Sequence, residues 1–314
     1  LIEISKDIGK VANQIKAGKI AAFPTETVYG LGALASNGQA VAKIYSAKGR
    51  PSFNPLITHV NSADDAFHHG MPNRWAKALA AAFWPGPMTL ILPKRDQSDI
   101  SDLALAGLST IALRVPEHSI ARALIEAVGA GLVAPSANKS GRVSPTKPAH
   151  VANQFTTEFE CILDGGDCSH GLESTIIDLT GALPIICRPG PLSRKQIEMI
   201  TGPVAEAKPI VNDQMPNAPG QLTSHYAPKG KIRLNSTCPQ NNSFFIGFGA
   251  LNAGKVDFNL SPAGDLIEAA ANLFSALHAA DAAGAKYIDV APIPLTDIGE
   301  AISDRLARAA SPRS

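Results

Sequence analysis

Ile20-Ala21-Ala22-Phe23-Pro24-Thr25-Glu26-Thr27-Val28-Tyr29-Gly30 is the stretch on which the fold turns. Its first four residues form a short apolar run of strand type, and Pro24 ends it because proline donates no ladder hydrogen bond. A polar loop follows at the strand end, the place where α/β proteins hold ligands. Outward from it the alternation continues. Upstream, Ile8, Val11, Ala12 and Ile15 recur at helical spacing and Gly18 supplies the stop, which predicts a helix over 8–17. Downstream, the pattern predicts helices over 39–47, 75–83 and 119–128 and strands over 55–60, 88–92, 110–115, 132–135 and 174–179. This is a mixed α/β chain with polar residues gathered at strand ends.

At 314 residues the chain exceeds one comfortable core, so two domains are expected. Pro203, Pro209, Pro216, Pro219 and Pro228 break the pattern, which places an interdomain linker at 203–230 between domains at 1–202 and 231–314. Beyond it, apolar runs at 244–247 and 287–290 flank an alanine-rich helix over 266–280, a small α/β unit. With 45% apolar and 18% charged residues and a formal charge of +1, the composition is that of a soluble globular protein and argues against a broad nucleic-acid coat. Cys161, Cys168, Cys187 and Cys238 lack zinc-ligand spacing and read as reduced core thiols. No signal-like opening and no run of about 18 apolar residues occurs, so the expected address is cytoplasmic, with no membrane contact.

Lys48-Gly49-Arg50-Pro51 sets two cations on a short loop that Gly49 lets turn and Pro51 stiffens, so both can face one polyanion. Lysine brings a point charge and arginine a planar fork. There is no G-x-x-x-x-G-K-[ST] loop, and Gly30-Leu31-Gly32 and Gly247-Phe248-Gly249 lack the third glycine of a dinucleotide fingerprint, so a nucleotide must be held another way. Asn54 and His59 follow on the same loop-strand unit, and Thr110, Arg114, Ser136, Asn138 and Ser144 fall at or near later strand ends. Arg114 and Arg188, each among strand residues, need either a partner carboxylate or a polar cavity. His59 fits a core histidine as well as a ligand contact, and the serines and asparagines fit caps and turns. Asp64-Asp65 reads as a helix start, Asp164 with Asp167 as a turn, and His68-His69 as surface. No G-x-S-x-G elbow is present.

With these residues assembled, the chain strongly resembles the threonylcarbamoyl-AMP synthase family, built on a YrdC-like domain. The resemblance rests on Pro24-Thr25-Glu26-Thr27-Val28-Tyr29-Gly30-Leu31-Gly32, Lys48-x-Arg50-Pro51-x-x-Asn54-Pro55-Leu56, Ser136-Ala137-Asn138 with Ser144, and Ser174-Thr175-Ile176-Ile177-Asp178 followed by Arg188-Pro189-Gly190. Pro219-Gly220 and Ser224-His225-Tyr226-Ala227-Pro228 are similar to the linker of its longer members. The resemblance implies a YrdC-like mixed twisted sheet with flanking helices, followed by a smaller Rossmann-like α/β domain. It further implies a nucleotidyltransferase that condenses L-threonine, bicarbonate and ATP to threonylcarbamoyl-adenylate, releasing pyrophosphate, for N6-threonylcarbamoyladenosine modification of tRNA beside the anticodon. A downstream transfer complex would carry the group to tRNA, and a direct tRNA contact is compatible with the role. Carried over by position, Lys48 and Arg50 are the catalytic pair. Lys48, Arg50, Asn54, Thr110, Ser136, Asn138, Ser144, Arg188 and Tyr226 would hold ATP, and Thr27, His59, Arg114, Ala134 and Ser174 would hold threonine. Ala134 could act only through its backbone, and Gln221-Leu222-Thr223 departs from the Met-Lys-Tyr of many members.

Joining a carbamate to the α-phosphate of ATP brings two anions together, so fixed cations and positioning should dominate over acid-base work. No carboxylate cluster suggests a protein-built metal site, so Mg²⁺ is expected mainly on the ATP phosphates and water. Carbamates and acyl-adenylates hydrolyse readily, which makes a linker lid carrying Tyr226 useful. Two alternatives remain on sequence grounds: a non-catalytic binder of structured RNA with this fold, and a carbamoyltransferase using another carbamoyl adenylate.

Overall fold

The structure, a computed structural model, describes residues 2–206, 225–240, 242–250 and 256–312. Strands β1 (Glu3–Ser5), β2 (Ala21–Phe23), β3 (Gly30–Leu34), β4 (Ile57–His59), β5 (Met88–Pro93), β6 (Thr110–Arg114), β7 (Leu132–Val133), β8 (Cys161–Leu163), β9 (Thr175–Asp178), β10 (Ile185–Arg188) and β11 (Ala205–Glu206) make one mixed sheet. Its order is β1-β8-β2-β3-β7-β4-β6-β5-β9-β10-β11. β4 and β6 run parallel with His59 opposite Arg114, and β5 runs parallel to β9 with Met88 opposite Thr175. A second sheet, all parallel, joins β12 (Lys231–Arg233), β13 (Ser243–Gly247), β14 (Phe258–Asn259) and β15 (Tyr287–Val290) in the order β12-β15-β13-β14.

Side-chain alternation along the strands assigns each face of the large sheet its task. Ala22, Leu31, Val133, Leu90, Leu92, Leu113 and Ile177 point to one face and pack under the helices Gly38–Lys48 and Arg74–Phe83. Ala21, Phe23, Leu132, Ala134 and Leu163 point to the other and pack on the helices Ile8–Lys16 and Ser119–Val128. Farther along that second face, Ile57, Ile91, Ala112 and Ile176 form a small separate apolar group. His59 and Arg114 share its parity on β4 and β6, so the site lies on sheet face that these helices leave uncovered.

The covering comes from the second domain. Its long helix Leu266–Ala282 contributes Leu273, Phe274 and Leu277 to a core that also takes in Val28, Val143 and Leu172 of the first domain and Tyr226 of the connection. One apolar core therefore crosses the domain boundary.

Several local expectations shift. The helix expected over 39–47 runs Gly38–Lys48: Asn37 caps its start through the Ala40 N–H, and Gly49, at φ 60°, stops it. Lys48 is thus the last helical residue, not a loop residue. Ala205–Glu206, inside the stretch read as linker, adds an edge strand beside β10. Residues 207–224, including Gln221-Leu222-Thr223 and Ser224, lie outside the described residues. His69, read as surface, is buried with Nδ1 3.2 Å from the Ser98 hydroxyl, whereas His68 is exposed. Of the cysteines read as core thiols, Cys161 and Cys168 are buried, Cys187 is half-buried and Cys238 is exposed. Cys238 sits in the short connection after β12, away from either core.

Candidate functional site

A narrow cleft, with about 40 Å³ of free volume, lies on the uncovered sheet face. All five residues expected to hold an amino acid line it: Thr27 from the loop after β2, His59 and Arg114 at adjacent strand ends, Ala134 after β7 and Ser174 before β9. Arg114 is buried, and its Nη2 lies 2.5 Å from Glu26 Oε1 while Nε donates to the Gly86 carbonyl. The alternatives of partner carboxylate and polar cavity are both realised. Burial alone would raise the Glu26 carboxyl, but the Arg114 guanidinium holds it below its ordinary value. His59, edge-on to Phe23, is pushed down to about 3, first by burial and then by Arg114, so it enters the site as neutral imidazole. Ser174 shares a hydrogen bond with Thr89, 2.7 Å between hydroxyls. The Ala134 N–H is already donated to the Ile57 carbonyl, so what it can still offer a ligand is its own carbonyl.

The cationic side is built from farther apart in the chain. Lys48 is buried and donates Nζ to the carbonyls of Ser136, at 2.5 Å, and of Asn138. Burial, followed by the charges of Arg50 and Lys139, drives its ammonium well below the usual lysine value. Arg50, half-buried, donates to the carbonyls of Asn54 and Pro55, and desolvation lowers it to about 10. Among the described residues neither cation has a carboxylate partner, which leaves positive charge for an anionic ligand to balance. Arg188 grips the Ser174 carbonyl at 2.9 and 3.1 Å and the Ser174 hydroxyl at 3.2 Å, joining the two sides of the cleft. Tyr226 is buried over the cleft with a left-handed backbone, φ 64°, a conformation that costs a non-glycine residue of order 1 kcal/mol or more.

Of the nine residues expected to hold ATP, Arg50, Ser136, Arg188 and Tyr226 line the cleft. Lys48, Asn54 and Asn138 form its supporting layer through the bonds above, and Ser144 donates to Glu173 Oε1 at 2.5 Å. Thr110 is not brought to the cleft. It shares the face of Arg114 but starts the strand that Arg114 ends, roughly 13 Å away at a strand's rise per residue.

Buried polar atoms without a protein partner concentrate here. Asn54 Oδ1, His59 Nδ1, Asn138 Oδ1, His225 Nδ1 and the Tyr226 hydroxyl account for five of the seven such atoms among the described residues. Native interiors satisfy nearly all such groups, so this density marks a place where a ligand supplies partners. A resident metal fits poorly, because the carboxylates of Glu26 and Glu173 are each engaged by an arginine. Among the described residues no three His, Cys, Asp or Glu side chains converge as a cation would require.

Sequence reasoning did not assign Glu26, Glu173, His225 or Arg305 to the site. Glu26 carried a signal, being the one charged residue of the polar loop after β2. Arg305 carried one too: with Ile302, Leu306 and Ala309 it falls on the buried stripe of the helix Gly299–Ala310.

Residues 13–190 match the family described as "Telomere recombination" (Sua5, YciO, YrdC), and residues 192–311 match that described as "Threonylcarbamoyl-AMP synthase, C-terminal domain". The threonylcarbamoyl-AMP synthase of Bacillus subtilis is 37% identical, covering 98% of this chain and 93% of the relative. That of Pyrococcus abyssi is 38% identical over 96% of this chain and 93% of the relative. The crystal structure of P. abyssi Sua5 complexed with L-threonine superposes with a TM-score of 0.89, at 36% identity, over 99% of this chain and 97% of that one.

Proposed function

Because the chain belongs to the threonylcarbamoyl-AMP synthase family, we propose that its cleft condenses L-threonine, bicarbonate or carbon dioxide, and ATP into threonylcarbamoyl-adenylate and pyrophosphate. The observation that carries this is the pairing of two cations that have no carboxylate partner among the described residues, Arg50 lining the cleft and Lys48 behind it, with a small polar recess built on Arg114, His59, Thr27 and Ser174. Arg114 takes the amino-acid carboxylate while Glu26 holds its guanidinium in place. Neutral His59 and the hydroxyls of Thr27 and Ser174 read the side-chain hydroxyl. The amine, left free, becomes the carbamate.

One carbamate oxygen then attacks the α-phosphorus, and pyrophosphate leaves with the electron pair of the broken P–O bond. Lys48, Arg50 and Arg188 offset the repulsion between the two anions from positions fixed before substrate arrives, so little reorganisation is needed as charge shifts to the leaving group. Burial, followed by the charges of Arg50 and Lys139, lowers the Lys48 ammonium, and a triphosphate beside it would favour its charged form. ATP brings Mg²⁺ on its phosphates, and no protein-built metal site is invoked. Tyr226, seated over the cleft, excludes water from the labile intermediate.

The adenylate is then handed to a transfer complex acting on tRNA, which places the reaction in the cytoplasm. No helix among the described residues is long and apolar enough to cross a membrane. Incubating the purified chain with ATP, Mg²⁺, bicarbonate and labelled threonine tests the proposal. Pyrophosphate release and a labelled adenylate that both require threonine and bicarbonate are expected; ATP turnover indifferent to threonine would overturn it.

A further inference from the structure

Arg305 reaches the cleft from the second domain. Its side chain is fully buried, and its three nitrogens are all used: Nε to Glu173 Oε2 at 2.9 Å, Nη2 to the Pro189 carbonyl at 2.9 Å, and Nη1 to Asp304 Oδ2 at 2.7 Å. The guanidinium also lies 5.2 Å from the centre of the Tyr226 ring, within cation–π range. Three of these four contacts adjoin a residue of the candidate site. Glu173 precedes Ser174 and accepts from Ser144, Pro189 follows Arg188, and Tyr226 is the cover itself.

Glu173 is the feature that needs explanation. It is a buried carboxylate in the wall of a cleft meant for a polyanion, close enough to Arg188 for that cation to act on its ionisation. Left unpaired, it would repel the triphosphate and draw Arg188 away from it. Arg305 removes both effects while gripping the ring of Tyr226.

We propose that Arg305 is a positioning residue of the adenylate-forming reaction, one that neutralises Glu173 and holds Tyr226 over the cleft, so that the site is complete only when the second domain is docked. This rests on the adenylate-forming reading above. The two tasks separate experimentally because only one of them is a matter of charge. In the full-length chain, Arg305→Met raises the KM for ATP about 10- to 100-fold, the scale of a misplaced site group, and diverts ATP to free AMP. Adding Glu173→Gln to that variant recovers most of the KM, since the opposing charge is gone, but not the coupling of ATP use to product, since the ring is still unheld. Arg305→Lys keeps KM near wild type and loses coupling.

A merely structural loss moves KM and coupling together and is not undone by Glu173→Gln; that result, or wild-type behaviour of Arg305→Met, overturns the proposal. Should Arg305→Met fail to fold, Arg305→Lys and the double variant carry the same comparison. Calorimetric affinity for a non-hydrolysable ATP analogue reads the Glu173 effect without turnover. It therefore distinguishes failure of this inference from failure of the reaction assigned to the wild-type chain.

Discussion

Arg50 shows how function and stability pull apart at a single side chain. It is largely desolvated, donates to the carbonyls of Asn54 and Pro55, and among the described residues has no carboxylate partner. Arg50→Ala is expected to lower kcat/KM for ATP by about 30-fold, on the order of 2 kcal/mol for a lost charge-assisted contact, while the melting temperature holds or rises. Steady-state kinetics beside calorimetry decides it, and a variant with full activity refutes the clamp. Glu26 makes the opposite case. Glu26→Gln strands the Arg114 charge in a buried pair, so unfolding free energy should fall by about 3 kcal/mol in urea titrations.

Elements matter most where backbones meet. A side chain at Gly190 would put its Cβ against the Thr175 N–H and 2.7 Å from the Glu173 carbonyl, both of them main-chain atoms that cannot swing aside. Gly190→Ala should therefore cost about 1–3 kcal/mol and also raise the KM for threonine, because the displaced segment carries Ser174. Thermal melts and threonine titrations would show the two effects together; a change in stability alone would mean that Ser174 stays in place. At this scale the sequence was a good guide wherever an element announced itself. The helix Ser119–Val128 carries its periodicity in a single turn-bounded run and was legible to the residue, and the charges at Arg114 and Arg188 marked strands facing a polar space. The strands β1 and β8 were not legible. Three residues show no period, and these two exist through parallel pairing across the domain, β1 on β8 and β8 on β2. The five residues carried over as threonine contacts were named through the family resemblance, and the structure gathers them because strand ends on one face converge. The Glu173–Arg305 pair was not, since it joins segments 132 residues apart and only packing reveals the partner.

For the molecule as a whole, buried and half-buried histidines set the response to acid. Burial lowers His59, His150 and His225 to about 3 and His278 to about 4, and the ordinary value is about 6.5 in an unfolded chain. As pH falls, the unfolded state takes up these protons before the native state does, so stability is full above about pH 6.5 and is lost progressively toward pH 3. The lowered carboxyls of Glu26 and Glu173 add to the loss at the acid end, their contribution disappearing as pH falls through their folded values. Each histidine contributes a slope of at most about 1.4 kcal/mol per pH unit. His150 and His278 stack at 3.9 Å across the domain boundary, so separation of the domains should accompany the early loss. Urea midpoints measured from pH 7.5 to pH 4.5 should fall steadily; a flat profile would show that these side chains are hydrated and titrate normally.

The core that crosses the boundary also governs how the gene can be cut. Val28, Val143 and Leu172 belong to the first domain but find their packing partners in Leu273, Phe274 and Leu277. A chain ending near Pro203 would carry them as an adhesive patch on an otherwise finished surface. Shortening this protein to its first domain is therefore a redesign problem rather than a truncation: those three positions would need polar residues before the fragment could circulate as a monomer.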